Sequence, residues 1–222
     1  MVTIYGCLRS RALRPLWLLR EMGAPHDWVP VVQAYRLPDP ADPAAPFHTQ
    51  RPEFLAINPM AQVPAMTDGG LLLAESVAIT HYLARKFGGP LGFADLAEES
   101  HALQWALLGV SAVETPALEL LLVHANRQAD TPEGEAQRRV ARAALARPFK
   151  RIEAHLSGQD WVLGDRFTAA DILLAECVRF AMDEPGVFDA YPALHRWLTA
   201  ARNRPVFQTL WAERDAEPTS FG

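Results

Sequence analysis

The stretch Val63-Pro64-Ala65-Met66-Thr67-Asp68-Gly69-Gly70-Leu71-Leu72-Leu73-Ala74-Glu75-Ser76 decides how the first half of this chain folds. Two short apolar runs, 63–66 and 71–74, flank Asp68-Gly69-Gly70, which supplies the positive-φ residues of a tight hairpin turn. The runs are therefore expected to pair as antiparallel strands. Val77, Ile79, Tyr82 and Leu83 follow at helical spacing as far as Phe87, and Gly88-Gly89-Pro90 stops that helix. Upstream, Val2–Tyr5 is β-rich and ends at Gly6. Ala12, Leu13, Leu16, Trp17 and Leu19 suit a helix closed by Gly23, and residues 28–32 read as a second strand. Strand, helix and strand at this spacing make a β-α-β unit, hence a parallel pair. Residues 36–52 carry Pro38, Pro40, Pro43, Pro46 and Pro52 and read as a long loop, of the kind that is often functional or mobile. A short helix opens at Pro52.

From about Asp95 the pattern changes. Helical runs occupy roughly 97–126, 134–156, 169–183, 193–203 and 205–213, with no strand-like alternation. The chain is expected to form an α/β domain over 1–87 and an all-α helical bundle over 97–222, joined by a linker near 88–97. Its 222 residues suffice for two such domains without a disulfide or metal staple. A net charge of −5 argues against a nucleic-acid partner. Cys7 and Cys177 form no C-x-x-C pair, so dithiol redox chemistry and a cysteine-rich zinc site lose support. Arg9, Arg11, Arg14 and Arg20 break any signal-peptide core. No run approaches the ~18 apolar residues of a membrane span, so a cytoplasmic protein is expected. G-x-G-x-x-G, P-loop, H-E-x-x-H and G-x-S-x-G motifs are missing, and the seven histidines lack metal-ligand spacing. No nucleotide and no metal are expected.

Four places carry a chemical reading beside a structural one. Pro64 cannot donate to a β ladder and belongs at a strand start, or it is a cis proline turning the Val63 backbone toward a ligand. Glu75-Ser76 precedes a helix and reads locally as a cap. The same groups would hold a carboxylate and an ammonium, that is, an amino-acid head. Ser10 lies between strand and helix, as an N-cap or as a hydroxyl donor to a thiolate. Thr168 with Asp171 three residues on, flanked by Phe167 and Ile172, reads as a capping box with a hydrophobic staple, a folding element rather than a catalytic one.

Residues 58–66 (Asn-Pro-Met-Ala-Gln-Val-Pro-Ala-Met), 74–83 (Ala-Glu-Ser-Val-Ala-Ile-Thr-His-Tyr-Leu) and 161–175 (Trp-Val-Leu-Gly-Asp-Arg-Phe-Thr-Ala-Ala-Asp-Ile-Leu-Leu-Ala) resemble the cytosolic glutathione S-transferases, in the right order and over nearly the whole chain. The resemblance implies a thioredoxin-like N-terminal domain, an all-helical C-terminal domain and a homodimer, with glutathione as co-substrate and a small electrophile as its partner. It implies a cis Val63-Pro64 bond at the cysteinyl backbone, Glu75 and Ser76 on the γ-glutamyl head, Gln62 as a further contact and His48 near the glycyl end. The Ser10-to-Arg14 spacing fits Ser-type members, which points to Ser10 as the catalytic hydroxyl; other Ser-type and Cys-type members place that residue one position earlier, where this chain has Arg9. Cys7 is a weak nucleophile candidate, Cys177 is core, and Arg14 forms a structural ion pair or part of a solvated face. Leu8 and Arg9 would line the acceptor pocket with His101, Trp105, Leu108 and the tail through Phe221, although Trp105 and Leu108 at i, i+3 equally suit a core. The fold also accommodates glutathione-dependent isomerases, dehalogenases, ether-cleaving enzymes and disulfide reductases, and non-catalytic interaction modules.

Overall fold

The computed structural model describes residues 1–218. It divides into two compact units, one formed by Met1–Gly89 with the chain from Pro205 onward, the other by Pro90–Arg204. In the first unit, β1 (Val2–Tyr5), α1 (Leu13–Glu21), β2 (His26–Val29), α2 (Pro52–Leu55), β3 (Ala65–Asp68), β4 (Leu71–Ala74) and α3 (Ser76–Phe87) follow in order. The sheet order is β2-β1-β3-β4, with β1 parallel to β2 and antiparallel to β3, and β3 antiparallel to β4. The expected β-α-β unit, hairpin and helix are all present. Two boundaries move. The second strand is β2 at His26–Val29 rather than 28–32, because Pro30 brings no N–H to the ladder. Chain pairing resumes at Val32, which bridges His48. The third strand starts at Ala65, one residue after Pro64, for the same reason.

Register decides what these strands position. Tyr5 lies opposite both Val29 and Ala65, and Ala65 lies opposite Ala74. The residues that follow β1, precede β3 and follow β4 therefore emerge at one end of the sheet. Leu13 to Leu19 of α1 are all buried, and the helix packs against α3 and the last helix of the chain, Pro205–Ala216. At ~1.5–3 kcal/mol per large apolar side chain, α1 is the main apolar contribution to this unit. The proline-rich loop is pinned rather than loose. Val32 N–H donates to Phe47 O (3.0 Å), Thr49 N–H donates to Val32 O (2.9 Å), and Arg51 Nη2 donates to the carbonyls of Pro43 (3.5 Å) and Ala45 (3.2 Å).

The second unit contains α4 (Leu96–Leu108), α5 (Glu114–Ala125), α6 (Pro132–Leu156), α7 (Ala169–Val178) and α8 (Pro192–Arg202). A π-helical turn at Gly109–Val113 joins α4 to α5, making one 30-residue helix. By length and composition that helix could cross a bilayer, a feature the interrupted apolar runs do not show. Its Ala102, Trp105, Ala106, Val113, Ala117, Leu120 and Val123 are buried in the bundle instead. All ten residues of α7 are buried, and the Thr168–Asp171 capping box forms at its start.

The last helix, α9 (Pro205–Ala216), belongs to the first unit and not to the helical domain in which the sequence placed it. Its apolar face finds α1: Trp17 and Phe207 ring centroids lie 4.6 Å apart, and Arg20 Nη1 meets Glu213 Oε1 at 2.7 Å. Helical periodicity locates a helix without saying which surface its apolar stripe covers.

One ion cluster closes the second unit. Glu184 is buried and accepts from Arg138 Nε (2.9 Å), Arg138 Nη2 (3.1 Å), Arg142 Nη1 (2.8 Å) and His124 Nε2 (2.8 Å). Burial alone would raise its carboxyl pKa; the hydrogen bonds from Arg138, His124 and Arg142 outweigh it and hold it near about 2. A folded-state value below the unfolded one stabilises the protein at pH above about 4.5, and that contribution is lost as pH falls toward about 2. Glu184→Gln should lower unfolding free energy by about 1–2 kcal/mol at pH 7, since it removes the charge on a buried carboxylate that part-exposed Arg138 and exposed Arg142 share. Urea titrations at pH 7 and pH 3 should show the gap narrowing at the lower pH.

Candidate functional site

The turn after β1 carries Cys7, Leu8, Arg9 and Ser10. Gly6 anchors it through Gly6 N–H to Val29 O (3.1 Å), with Trp28 Nε1 donating to Gly6 O (2.8 Å). Ser10 Oγ donates to Cys7 O (2.6 Å) and accepts from Ala12 N–H (3.1 Å), a local side-chain turn just before α1 rather than the expected cap, since the N-cap position is Ala12, which carries no side-chain cap bond. The hydroxyl hydrogen is committed to a neutral carbonyl. A thiolate is the stronger acceptor and would take it over without altering the Ala12 bond.

The Val63–Pro64 peptide is cis, and Pro64 is buried. The preceding turn is held by Asn58: its Nδ2 donates to Gln62 O (2.8 Å) and its Oδ1 accepts from Met60 N–H (3.2 Å). The Gln62 side chain is exposed. A Cβ placed on Gly6 would lie 3.4 Å from Val63 Cβ, so the Ser10 turn and the cis-proline segment are neighbours.

The cap reading of Glu75-Ser76 does not hold. Glu75 is the N-cap residue by position, at φ +69°, with no side-chain cap bond, and its side chain is exposed. A non-glycine residue held there costs on the order of 1–3 kcal/mol, and such strain gathers at functional sites. Ser76 is buried inside the first turn, and its Oγ accepts from Arg14 Nη1 at 2.9 Å. Arg14 is thus neither surface-solvated nor limited to an ion pair. It is buried and places positive charge directly beneath the Ser76 hydroxyl, whose own hydrogen stays available to a ligand oxygen.

His48 is buried on the segment bridging Val32. Its Nδ1 accepts from Gln50 N–H (3.2 Å), which leaves the proton on Nε2, a buried donor with no partner among the described residues.

Other expected residues sit differently. Leu8 is buried, and Arg9 spends its guanidinium on the carbonyls of Glu217 (Nε, 3.1 Å) and Asp215 (Nη2, 3.2 Å). Neither presents the free wall of an acceptor pocket. Trp105 takes its core alternative, buried in the second unit between His155 (4.3 Å between centroids) and the Arg151 guanidinium (4.8 Å). On the same helix His101 is exposed and Leu108 half-buried. Phe221 lies outside the described residues. Cys177 is core, its thiol donating to Leu173 O (3.3 Å). The Cys7 thiol, donating to Gln33 Oε1 (3.3 Å), is pushed up in pKa by burial and by Glu217, the opposite of what a nucleophile needs. Among the described residues no cluster of three potential metal ligands occurs.

Sequence alone underrated Arg14 and missed Glu217, whose carboxylate accepts the N–H groups of Leu8 and Arg9. An Arg at a helical spacing gives no sign of which side chain it reaches. No pattern links residues more than two hundred positions apart.

Family models match both halves of the chain. The model described as glutathione S-transferase, N-terminal domain, covers residues 9–86, and that described as glutathione S-transferase, C-terminal domain, covers 101–205. Glutathione S-transferase 3 of Zea mays is 31% identical over 214 residues, spanning 92% of this chain and 90% of the relative. Elongation factor 1-gamma of Danio rerio is 30% identical over 184 residues, 78% of this chain but 39% of the relative. A solved structure of glutathione S-transferase-I bound with lactoylglutathione is 27% identical and superposes with a TM-score of 0.75, covering 95% of this chain and 98% of that one.

Proposed function

The chain belongs to the glutathione S-transferase family, and from that premise we propose that it binds glutathione at the shared end of its sheet and activates the thiol through Ser10. Glu75 and Ser76 take the γ-glutamyl head, the carboxylate on the Ser76 hydroxyl above the buried Arg14 charge and the ammonium on Glu75. The Val63–Pro64 segment and Gln62 face the cysteinyl part, and the His48 Nε2–H serves the glycyl carboxylate. Ser10 donates to the sulfur, favouring the thiolate over the thiol. The thiolate then attacks an electrophilic carbon; a C–S bond forms, the leaving group departs with its electron pair, and the thiol proton is released to water. The supporting observation is the register. It brings the turn after β1, the start of β3 and the end of β4 to one edge, with Ser10, Pro64 and Ser76 each anchored there.

Ser10→Ala should leave retention on immobilised glutathione intact. A hydrogen bond to a charged group is worth ~1.5–3 kcal/mol, so the pKa of the bound thiol should rise by about one unit or more. Ultraviolet absorbance of the bound thiolate against pH reads that shift, and conjugation of chlorodinitrobenzene should slow by roughly tenfold at pH 6.5. An unmoved titration would remove Ser10 from the reaction. The similarity to elongation factor 1-gamma keeps a second reading, a non-catalytic interaction module. Failure to bind glutathione at all would favour it. The proposal extends to a cytosolic homodimer. Met60 (72% exposed) and Leu72 (53%) leave apolar surface on the first unit for a second copy to cover, and sedimentation velocity reads the state.

A further inference from the structure

The turn that carries Ser10 is held from the far end of the chain. Leu8 and Arg9 lie beyond the last ladder residue of β1, and their N–H groups donate to one carboxylate, Leu8 to Glu217 Oε1 (2.7 Å) and Arg9 to Glu217 Oε2 (2.9 Å). The bridge is bidentate and charge-assisted, the strong form of a backbone hydrogen bond. Its own anchorage is dense. Arg9 returns two bonds to the carbonyls of Glu217 and Asp215, and Arg36 Nη2 donates to Pro218 O (2.6 Å). One helix upstream, α9 is seated on α1 by Trp17 against Phe207 and Arg20 against Glu213. The other end of the four-residue turn closes on itself through Ser10 Oγ to Cys7 O.

We propose that Glu217 is a positioning residue for Ser10: its carboxylate clamps the amides of Leu8 and Arg9 and so fixes the turn from which the hydroxyl reaches the glutathione sulfur. The inference rests on the assignment of Ser10 to the thiol. The charged and titratable groups that interact with Glu217 among the described contacts are Arg9 and Cys7; Asp215 pairs with Arg9, and Arg36 reaches Cys7 and the carbonyl of Pro218. A role by charge alone has the opposite sign. A negative group near a thiol opposes its ionisation, and Glu217 does so at Cys7, second to burial. Removing the charge would then make the bound thiol more acidic, whereas loosening the clamp makes it less acidic.

The experiment is a double-mutant cycle on the pKa of enzyme-bound glutathione, read by thiolate absorbance in the full-length protein. Glu217→Ala should raise that pKa by about half a unit in the Ser10 background and change nothing in Ser10→Ala. Glu217→Gln keeps one acceptor oxygen and should give a smaller rise. Thermal denaturation of both variants checks that they are folded, and the Gln variant carries the test if the Ala variant is not. A fall in pKa in both backgrounds means charge alone and overturns the proposal. An unmoved pKa with a lowered melting temperature means a purely structural strap and overturns it too. If Ser10→Ala itself leaves the pKa unmoved, the Ser10 assignment fails and this inference falls with it. If Ser10→Ala moves it and Glu217→Ala does not, only this inference fails.

Discussion

Asp171→Asn should destabilise the protein by about 3–5 kcal/mol, a large share of the ~5–15 kcal/mol that holds a native domain together. The Asp171 side chain is fully buried, and each of its carboxylate oxygens is used twice. Oδ1 accepts from Val162 N–H (2.8 Å) and Trp197 Nε1 (2.8 Å); Oδ2 accepts from Thr168 N–H (2.8 Å) and Thr168 Oγ1 (3.2 Å). An amide has one acceptor oxygen. Whichever way it is turned, its NH2 meets two donors, and at least one buried N–H loses its partner at ~1–3 kcal/mol each, with the donor–donor repulsion added. The site ties the start of α7, the Val162 segment and Trp197 of α8 to one carboxylate, so its loss is felt through the second unit's core. Burial raises the carboxyl pKa to about 6, against the hydrogen bonds that lower it. A raised folded value means that the native state holds the proton more tightly. This group's contribution is therefore full below about pH 3.8 and declines as pH rises through about 6. Urea unfolding of the wild type should show that decline between pH 4 and pH 6, and Asp171→Asn should lack it. A loss below ~1 kcal/mol at pH 7 would mean that the neighbouring donors find other acceptors.

That element was legible from sequence because it is local. Thr168, three residues from Asp171 and next to Phe167, is a pattern whose geometry depends on one turn of helix. The hairpin at Asp68-Gly69-Gly70 and the helix Ser76–Phe87 were legible for the same reason. What stayed hidden is tertiary. The helix at Pro205–Ala216 was found, but not its place on α1. The helix at Leu96–Ala125 was found as one run over roughly 97–126, but not the π-helical turn at Gly109–Val113 inside it. At the site, Ser10, Pro64 and Ser76 were visible as residue types at strand ends. Taken alone, sequence favoured the cap reading of Glu75-Ser76; no side-chain cap bond forms there, and the buried Arg14 guanidinium on Ser76 Oγ, 62 positions away, is a contact no local pattern encodes. His48 was named from a resemblance in a loop full of prolines. Its buried Nε2 follows from the Val32 bridge, which no periodicity encodes.

Gly6→Ala is expected to cost both stability and activity, and the reason is where the glycine stands. Gly6 has φ +152°, and an added Cβ would sit 2.7 Å from Ala12 Cβ, closer than such atoms approach. The backbone cannot turn away. Its N–H is held by Val29 O (3.1 Å), and its carbonyl receives Trp28 Nε1 (2.8 Å) and Val31 N–H (3.4 Å). The methyl must therefore push the entry of α1, which carries the Ser10 turn, or the Val63–Pro64 segment at 3.4 Å and 3.7 Å. Overpacking of this kind costs ~1–3 kcal/mol, and the positive φ adds roughly another 1 kcal/mol. The effect on the reaction is larger than that energy suggests, because displacing a catalytic group by ~1 Å can cost 10²-fold. We expect kcat/KM for chlorodinitrobenzene to fall by roughly 100-fold, with glutathione binding weakened less. The pairing with Ala12 makes the cause testable. Ala12→Gly removes the atom the new methyl strikes, at a helix cost of ~1 kcal/mol. In the double variant activity should recover most of the loss while stability recovers only in part. If backbone strain at Gly6 were the whole effect, Ala12→Gly would restore nothing, and the steric account of how Gly6 sets the Ser10 turn against the cis-proline segment would be wrong.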